Sequence, residues 1–116
     1  MAGKFVLKRA KNNDFYFSLI AGNGEPVGRS EMYKSRASAL NGIDSVKRNA
    51  PDATHFLVKE GRDGQHYLSL KASNGQVILA GEGYSSHAAA LKGGDAVARA
   101  ALDARLIDET LPQPAT

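Results

Sequence analysis

No cysteine occurs anywhere in the chain, which excludes a disulfide framework, a thiolate zinc site and a cysteine nucleophile together. Long apolar runs are missing as well. None exceeds four residues, as in Ala88 to Leu91, too short for a bilayer span or for the apolar stretch of a signal peptide. Neither sign of charge dominates: fifteen Lys and Arg stand against twelve Asp and Glu, a net charge of +3, and the basic residues form no run. What is present is an ordinary globular balance, 42% apolar and 23% charged over 116 residues. A chain of this length buries roughly two-thirds of its unfolded surface without help from a metal or a disulfide. The expectation is one domain, 1–116, cytoplasmic and without a membrane segment.

The chain is one unit written twice. Slid against itself by 51 residues it aligns without a gap from Phe5 to Ala50, with 19 identities in 46 positions. Tyr16-Phe17-Ser18-Leu19 meets Tyr67-Leu68-Ser69-Leu70, and Ala39-Leu40-Asn41-Gly42 meets Ala90-Leu91-Lys92-Gly93. A third copy even starts: Asp52-Ala53-Thr54-His55-Phe56 lines up with Asp103-Ala104-Arg105-Leu106-Ile107. The repeats run from about 4 to 53 and from about 54 to 109, leaving a tail, 110–116, without periodicity, expected to be disordered.

Within each unit the periodicity changes once. Phe15, Phe17, Leu19 and Ala21 alternate with Tyr16, Ser18 and Ile20, the pattern of a strand with one core face. Phe5 and Leu7 precede it in the same sense. Asn23-Gly24 and Asn74-Gly75 predict hairpins with type I′ turns, and a third strand follows near Val27 to Ser30 and Val77 to Ala80. Pro26, which cannot donate a ladder hydrogen bond, belongs at a strand start or an edge. Ser35 and Ser86 then stand as N-caps of two helices. The first has an apolar stripe of Ala37, Leu40, Ile43, Val46 and Ala50, and Pro51 stops it. The second is expected to end near Asp103, with Leu106-Ile107 as a short closing strand. Gly42 and Gly93, at equivalent helical positions, suggest close approach of the two helices. The fold is therefore α+β: two units of three strands, helix and return strand share one antiparallel sheet, both helices on one face, around an approximate twofold.

The ordered motifs Ala21-Gly22-Asn23-Gly24-Glu25, Ser30-Glu31-Met32-Tyr33 and Gly42-Ile43-Asp44-Ser45-Val46, echoed in the second unit, resemble those of the YegP-like family of small bacterial proteins. The resemblance covers Lys4 to about Asp108. It implies tandem units merged into one sheet, and it supplies no catalytic residues. The second unit departs from the pattern at Gly83 and Gly94, where Met32 and Ile43 stand in the first.

No catalytic or metal constellation is legible. His55, His66 and His87 make no ligand spacing with one another or with a carboxylate, and no cofactor motif is complete. The duplicated Glu31-x-Tyr33-x-Ser35 and Glu82-x-Tyr84-x-Ser86 read as building parts: a packed tyrosine, a capping serine, a carboxylate near the helix start. The candidate functional surface is the sheet face opposite the helices. Alternation places Lys8, Tyr16, Ser18, Lys59, Tyr67, Ser69 and Lys71 there, together with Val6, Ile20, Leu57, Val77 and Leu79. The apolar residues suggest a protein partner or self-association. The tyrosines among lysines suggest the alternative, single-stranded nucleic acid, stacked on rings and neutralised by ammonium groups. The reading is a small non-enzymatic binding module.

Overall fold

Every hairpin in the molecule closes on the same three-residue loop, and its chemistry sets the strand register. In the computed structural model, which describes residues 3–110, Ala21 N–H donates to the Glu25 carbonyl at 2.8 Å and Gly24 N–H to the Ala21 carbonyl at 2.9 Å. Ala72 to Gln76 repeats this arrangement, and so do Ala10 to Asp14 and Gly61 to Gln65. Only the last loop residue is left-handed, at Asn13, Gly24, Gly64 and Gly75, with φ between 69° and 87°. The preceding Asn or Asp side chain accepts from the backbone N–H two residues on, at 3.0 Å in all four loops. These are therefore not type I′ turns. The Asx acceptor holds the first part of the loop in an ordinary turn, so one left-handed residue suffices.

The strands so joined are β1 (Lys4–Arg9), β2 (Phe15–Ile20) and β3 (Pro26–Arg29), then β4 (Phe56–Glu60), β5 (His66–Lys71) and β6 (Val77–Tyr84). Helix α1 (Arg36–Asn49) follows β3, and a single 3-10 turn leads from it into β4. Helix α2 (His87–Ala101) follows β6 and leads to β7 (Arg105–Asp108). Ser35 and Ser86 cap the helices as expected, their side chains accepting from Ser38 N–H and Ala89 N–H. All seven strands form one sheet in the order β4-β5-β6-β3-β2-β1-β7. The halves meet where β3 pairs with β6 through Arg29 and Ala80, residues that are themselves 51 apart. The approximate dyad passes through that pair.

The sheet is mixed, not wholly antiparallel. β7 pairs with β1 in parallel, Lys4 opposite Arg105 and Leu7 opposite Asp108. The reason is topological: β1 already occupies the place that β4 takes after α1, so the strand after α2 adds one position further out. Arg36 at the start of α1 clamps it there, Nε donating to Asp108 Oδ2 at 2.9 Å, while Thr110 N–H and Oγ1–H donate to Oδ1.

Phe5, Leu7, Phe17, Leu19, Leu68, Leu70 and Leu79, with Val46 and Val97 of the helices, are the largest fully buried side chains. Phe17 and Leu68, equivalent in the two repeats, are both enclosed in this one core. The helices present a face rotated from the expected stripe. Ala37 is exposed, as are Ala88 and Leu91 at the second helix's equivalents of Ala37 and Leu40, whereas Ala39, Gly42, Ala90 and Gly93 are buried. The glycines explain it. A Cβ on Gly42 would lie 2.8 Å from Cζ of Tyr33, and one on Gly93 2.9 Å from Cε2 of Tyr84, nearer still to each hydroxyl. Each helix thus sits down on its own tyrosine ring: the glycines serve this approach of helix to ring, not the expected approach of the two helices to each other. Tyr33 in turn stacks on Phe17, with ring centroids 6.2 Å apart.

Neighbouring glycines of α2 therefore respond oppositely to alanine. Gly93→Ala costs about 1–3 kcal/mol by pushing Tyr84 out of place. A Cβ on Gly94 meets only the Phe56 ring, at 3.5 Å or more, so Gly94→Ala stabilises by up to about 1 kcal/mol through helix propensity. Urea unfolding of the two variants measures both signs. Strand β7 carries a pH dependence. Burial raises the Asp108 pKa, but the Thr110 and Arg36 hydrogen bonds outweigh it and hold the carboxyl below its ordinary value. A depressed folded pKa means that this stabilisation is complete above about pH 3.9 and fades as the pH falls through the folded value. Amide exchange at Leu106 to Asp108 accelerates in that window. Asp108→Asn reproduces the loosening at neutral pH, at a cost of about 1–2 kcal/mol.

Candidate functional site

Cross-strand partners share a face, so the strand register assigns each side chain to one side of the sheet. One row crosses all seven strands on the face away from the helices: Ile107, Val6, Ser18, Arg29, Ala80, Ser69 and Leu57. Lys8 pairs with Tyr16, Lys59 with Tyr67 and Lys71 with Val77 on the same side. The structure thus brings Lys8, Tyr16, Ser18, Lys59, Tyr67, Ser69 and Lys71 onto one face. They form two groups. Tyr16 and Tyr67 lie on β2 and β5, about three strand spacings or 14 Å apart across the sheet.

Three further cations join them. Lys4 pairs with Ile20 and with Arg105, and Arg29 stands at the dyad. Simple alternation along β1 already gives Lys4, whereas Arg29 and Arg105 need the sheet order. Arg29 lays its guanidinium over the Tyr16 ring, Cζ 4.6 Å from the centroid, a cation–π contact at the centre of the face. None of the residue pairs on this face includes Asp or Glu. Glu60 pairs with His66 toward the helices, and Asp108 is held by Arg36. The face therefore gathers six cations, four of them (Lys4, Lys8, Arg29, Arg105) on the side of the first repeat. A counter-charge stands at the rim of the second: Tyr67 Oη–H donates to Asp63 Oδ2 at 2.6 Å.

The apolar content of the face is smaller than alternation suggests. Leu79 is a core residue, 2% exposed and paired with Leu70. Leu70 meets Leu79 while Lys71 meets Val77, so Ile78 is an extra residue that shifts the alternation by one. Val6 is 8% exposed, and Ile20 and Val77 are half-buried. Leu57, at 44%, is the large apolar side chain that remains open.

On the helix side, the duplicated Glu-x-Tyr-x-Ser segments are occupied by structural work. Ser35 and Ser86 cap helices, and the pKa values of Tyr33 and Tyr84 are raised first by burial and then by Glu31 and Glu82. His66 and His87 meet edge to face, 6.4 Å between centroids, while His55 lies 3.5 Å from Asp52. Among the described residues no three His, Asp or Glu side chains gather as metal ligands. No described helix is long and apolar enough to cross a membrane.

Comparison with known proteins finds the family model described as domain of unknown function (DUF1508) matching twice, at residues 10–56 and 62–108. The UPF0339 protein PA0329 of Pseudomonas aeruginosa is 46% identical over 110 residues, covering 95% of this chain and 100% of that protein. The UPF0339 protein YegP of Yersinia pestis is 43% identical over 109 residues, 94% of this chain and 97% of its own. The solution NMR structure of yegP from Escherichia coli, titled a protein of unknown function, superposes with a TM-score of 0.88 at 36% identity, covering 94% of each chain.

The tyrosines of the molecule are expected to titrate in separable ways. The hydrogen bond to Asp63 is the main cause raising the Tyr67 pKa. Asp63→Asn brings Tyr67 back toward 10 and leaves Tyr33 and Tyr84 elevated, because burial is their main cause. Phenolate absorbance followed against pH, with Tyr67→Phe to assign the step, checks this.

Proposed function

We propose, for a chain that belongs to the DUF1508 family of unknown function, a non-enzymatic binding role in which the open sheet face takes an extended anionic chain, a single-stranded nucleic acid. The observation that carries this reading is the sorting of charge: six cations and two tyrosines on one face, with no carboxylate in its cross-strand pairs. Phosphates are neutralised by Lys4, Lys8, Arg29 and Arg105, and a base stacks on the Tyr16–Arg29 pair, whose guanidinium carbon lies 4.6 Å from the ring centroid. A net charge of only +3 sets the affinity low and makes it depend on this face rather than on the whole surface. The role is read as cytoplasmic, where such ligands are met. No catalysis enters it, since the duplicated Glu-x-Tyr-x-Ser groups are committed to packing and capping. The protein-interaction reading draws on a different place, the exposed Leu57 at the edge of the face.

Fluorescence anisotropy of a labelled single-stranded oligonucleotide, titrated with the full chain at two salt concentrations, tests the proposal. Binding is expected to weaken with salt, and Arg29→Ala is expected to lower the salt slope by about one phosphate contact. Tyr16→Ala loses about 1–3 kcal/mol of stacking. Absence of binding at low salt, or binding indifferent to both substitutions, overturns it.

A further inference from the structure

The dyad places at β4 the same outer edge that β7 covers at β1, and among the described residues no strand covers it. We propose that this edge is a docking site for an extended segment of a partner protein, added parallel to β4 as β7 adds to β1, a surface separate from the open face discussed above. The comparison between repeats carries the argument. Phe5, Val6 and Leu7 are 0%, 8% and 0% exposed; their counterparts Phe56 and Val58 are only half-buried, and Leu57 is 44% exposed.

The two edges differ by more than a strand. In the first repeat Ile43 is buried in the core and Lys47 reaches over the Phe5 ring, 5.7 Å from its centroid. The positions equivalent to these are Gly94 and Ala98. The outcome is a largely apolar cleft of about 260 Å³ beside the edge, walled by Phe56, Leu68, Leu91, Gly94 and Ala98, with the Asp95 carboxylate as its charged member. Leu91 at its rim is 50% exposed. Open strand edge, exposed apolar strand residues and an adjoining cleft are the elements of strand addition, in which backbone hydrogen bonds give affinity and a side-chain pocket gives selectivity.

β7 itself shows which segment fits. It presents Leu106 beside Phe5 on the helix side, Ile107 beside Val6 on the open face, and Asp108 to Arg36. The dyad-related segment would place an apolar side chain over Phe56 toward the cleft, a second beside Leu57, and a carboxylate toward His87, which stands where Arg36 stands in the first repeat. The occupant is therefore an extended apolar–apolar–acid peptide. A second copy pairing β4 to β4 about a twofold would add an antiparallel strand, not the parallel one that β7 adds to β1.

The probe is a synthetic peptide with the sequence of residues 104–110, titrated into the isotope-labelled full chain and followed by amide NMR. Saturable shifts at Phe56 to Glu60 and Leu91 to Ala98 are expected, with no response to a version carrying proline in place of its isoleucine. Gly94→Ile fills the cleft and weakens binding at least tenfold. Leu91→Ser, at the exposed rim, weakens it several-fold and serves if the first variant does not fold. No shifts at millimolar peptide, or shifts confined to β1 and β7 as the peptide replaces the chain's own strand, overturn the proposal. Dimerisation through β4 in the absence of peptide overturns it too, in favour of a second copy as occupant.

Discussion

The halves of this sheet are held together by apolar packing across their junction, and every other feature presupposes that contact. Backbone pairing there is brief, a single registered pair between β3 and β6. Side chains supply the rest. Leu79 of β6 fills the space over Gly28 of β3, where a Cβ would stand 2.5 Å from the leucine Cδ2. Val27 and Ile78, the extra residues of equivalent bulges, turn inward beside it. The helices then cross the junction: α1 packs on β2 as well as β5 and β6, and α2 on β2 and β3 as well as β5 and β6. A half on its own would lose the partner helix and expose the inner edge of its third strand.

Duplication makes such a junction easy to build and leaves a mismatch at its ends. Two identical units related by a dyad offer identical outer edges, but the chain continues past only one second helix. The surplus strand after α2 closes the β1 edge, and among the described residues no strand takes the equivalent place at β4. The first repeat is built out around the covered edge, with Ile43 in the core, Lys47 over Phe5 and Arg36 on Asp108. The second has thinned where no strand arrives, with Gly94, Ala98 and His87 at those three positions. Divergence at these positions thus follows a difference in their surroundings.

The 51-residue offset made everything that obeys it legible in the sequence: element order, the serine caps, the shared core of Phe17 and Leu68, the seven polar residues on the open face, even the short strand at Leu106-Ile107. What escaped was set by relations no offset contains. Leu79 changed faces because bulges shift the alternation, and nothing local announces a bulge. The glycines of α1 and α2 suggested that the helices approach each other, whereas in the fold it is tyrosine rings from the preceding segments that approach them. Arg29 and Arg105 joined the face through strand order, since one lies at the dyad and the other on a strand that crosses to the far edge. The parallel pairing of β7 belongs to the same class, as does the left-handed Asn13 in a loop whose equivalent residue is Gly64.

The charge of the open face and the bareness of the β4 edge have a common origin. Once two copies share a fold, a position in one can change while its twin keeps the framework. Arg29 faces Ala80 across the dyad, so the central cation exists once, and Tyr16 is covered by a guanidinium while Tyr67 bonds to a carboxylate. A symmetric pair of arginines at 29 and 80 would stand directly opposite on adjacent strands, a repulsive arrangement. The dyad therefore disfavours a symmetric basic centre, though only to the modest degree that the face already accepts where Lys4 stands opposite Arg105. The first repeat and β7 carry the charge, and the second repeat, relieved of it, keeps the exposed apolar strand. Surfaces of opposite character on one small sheet follow from divergence of two copies at equivalent positions, and the residue pair on the symmetry axis is where that divergence is most directly visible.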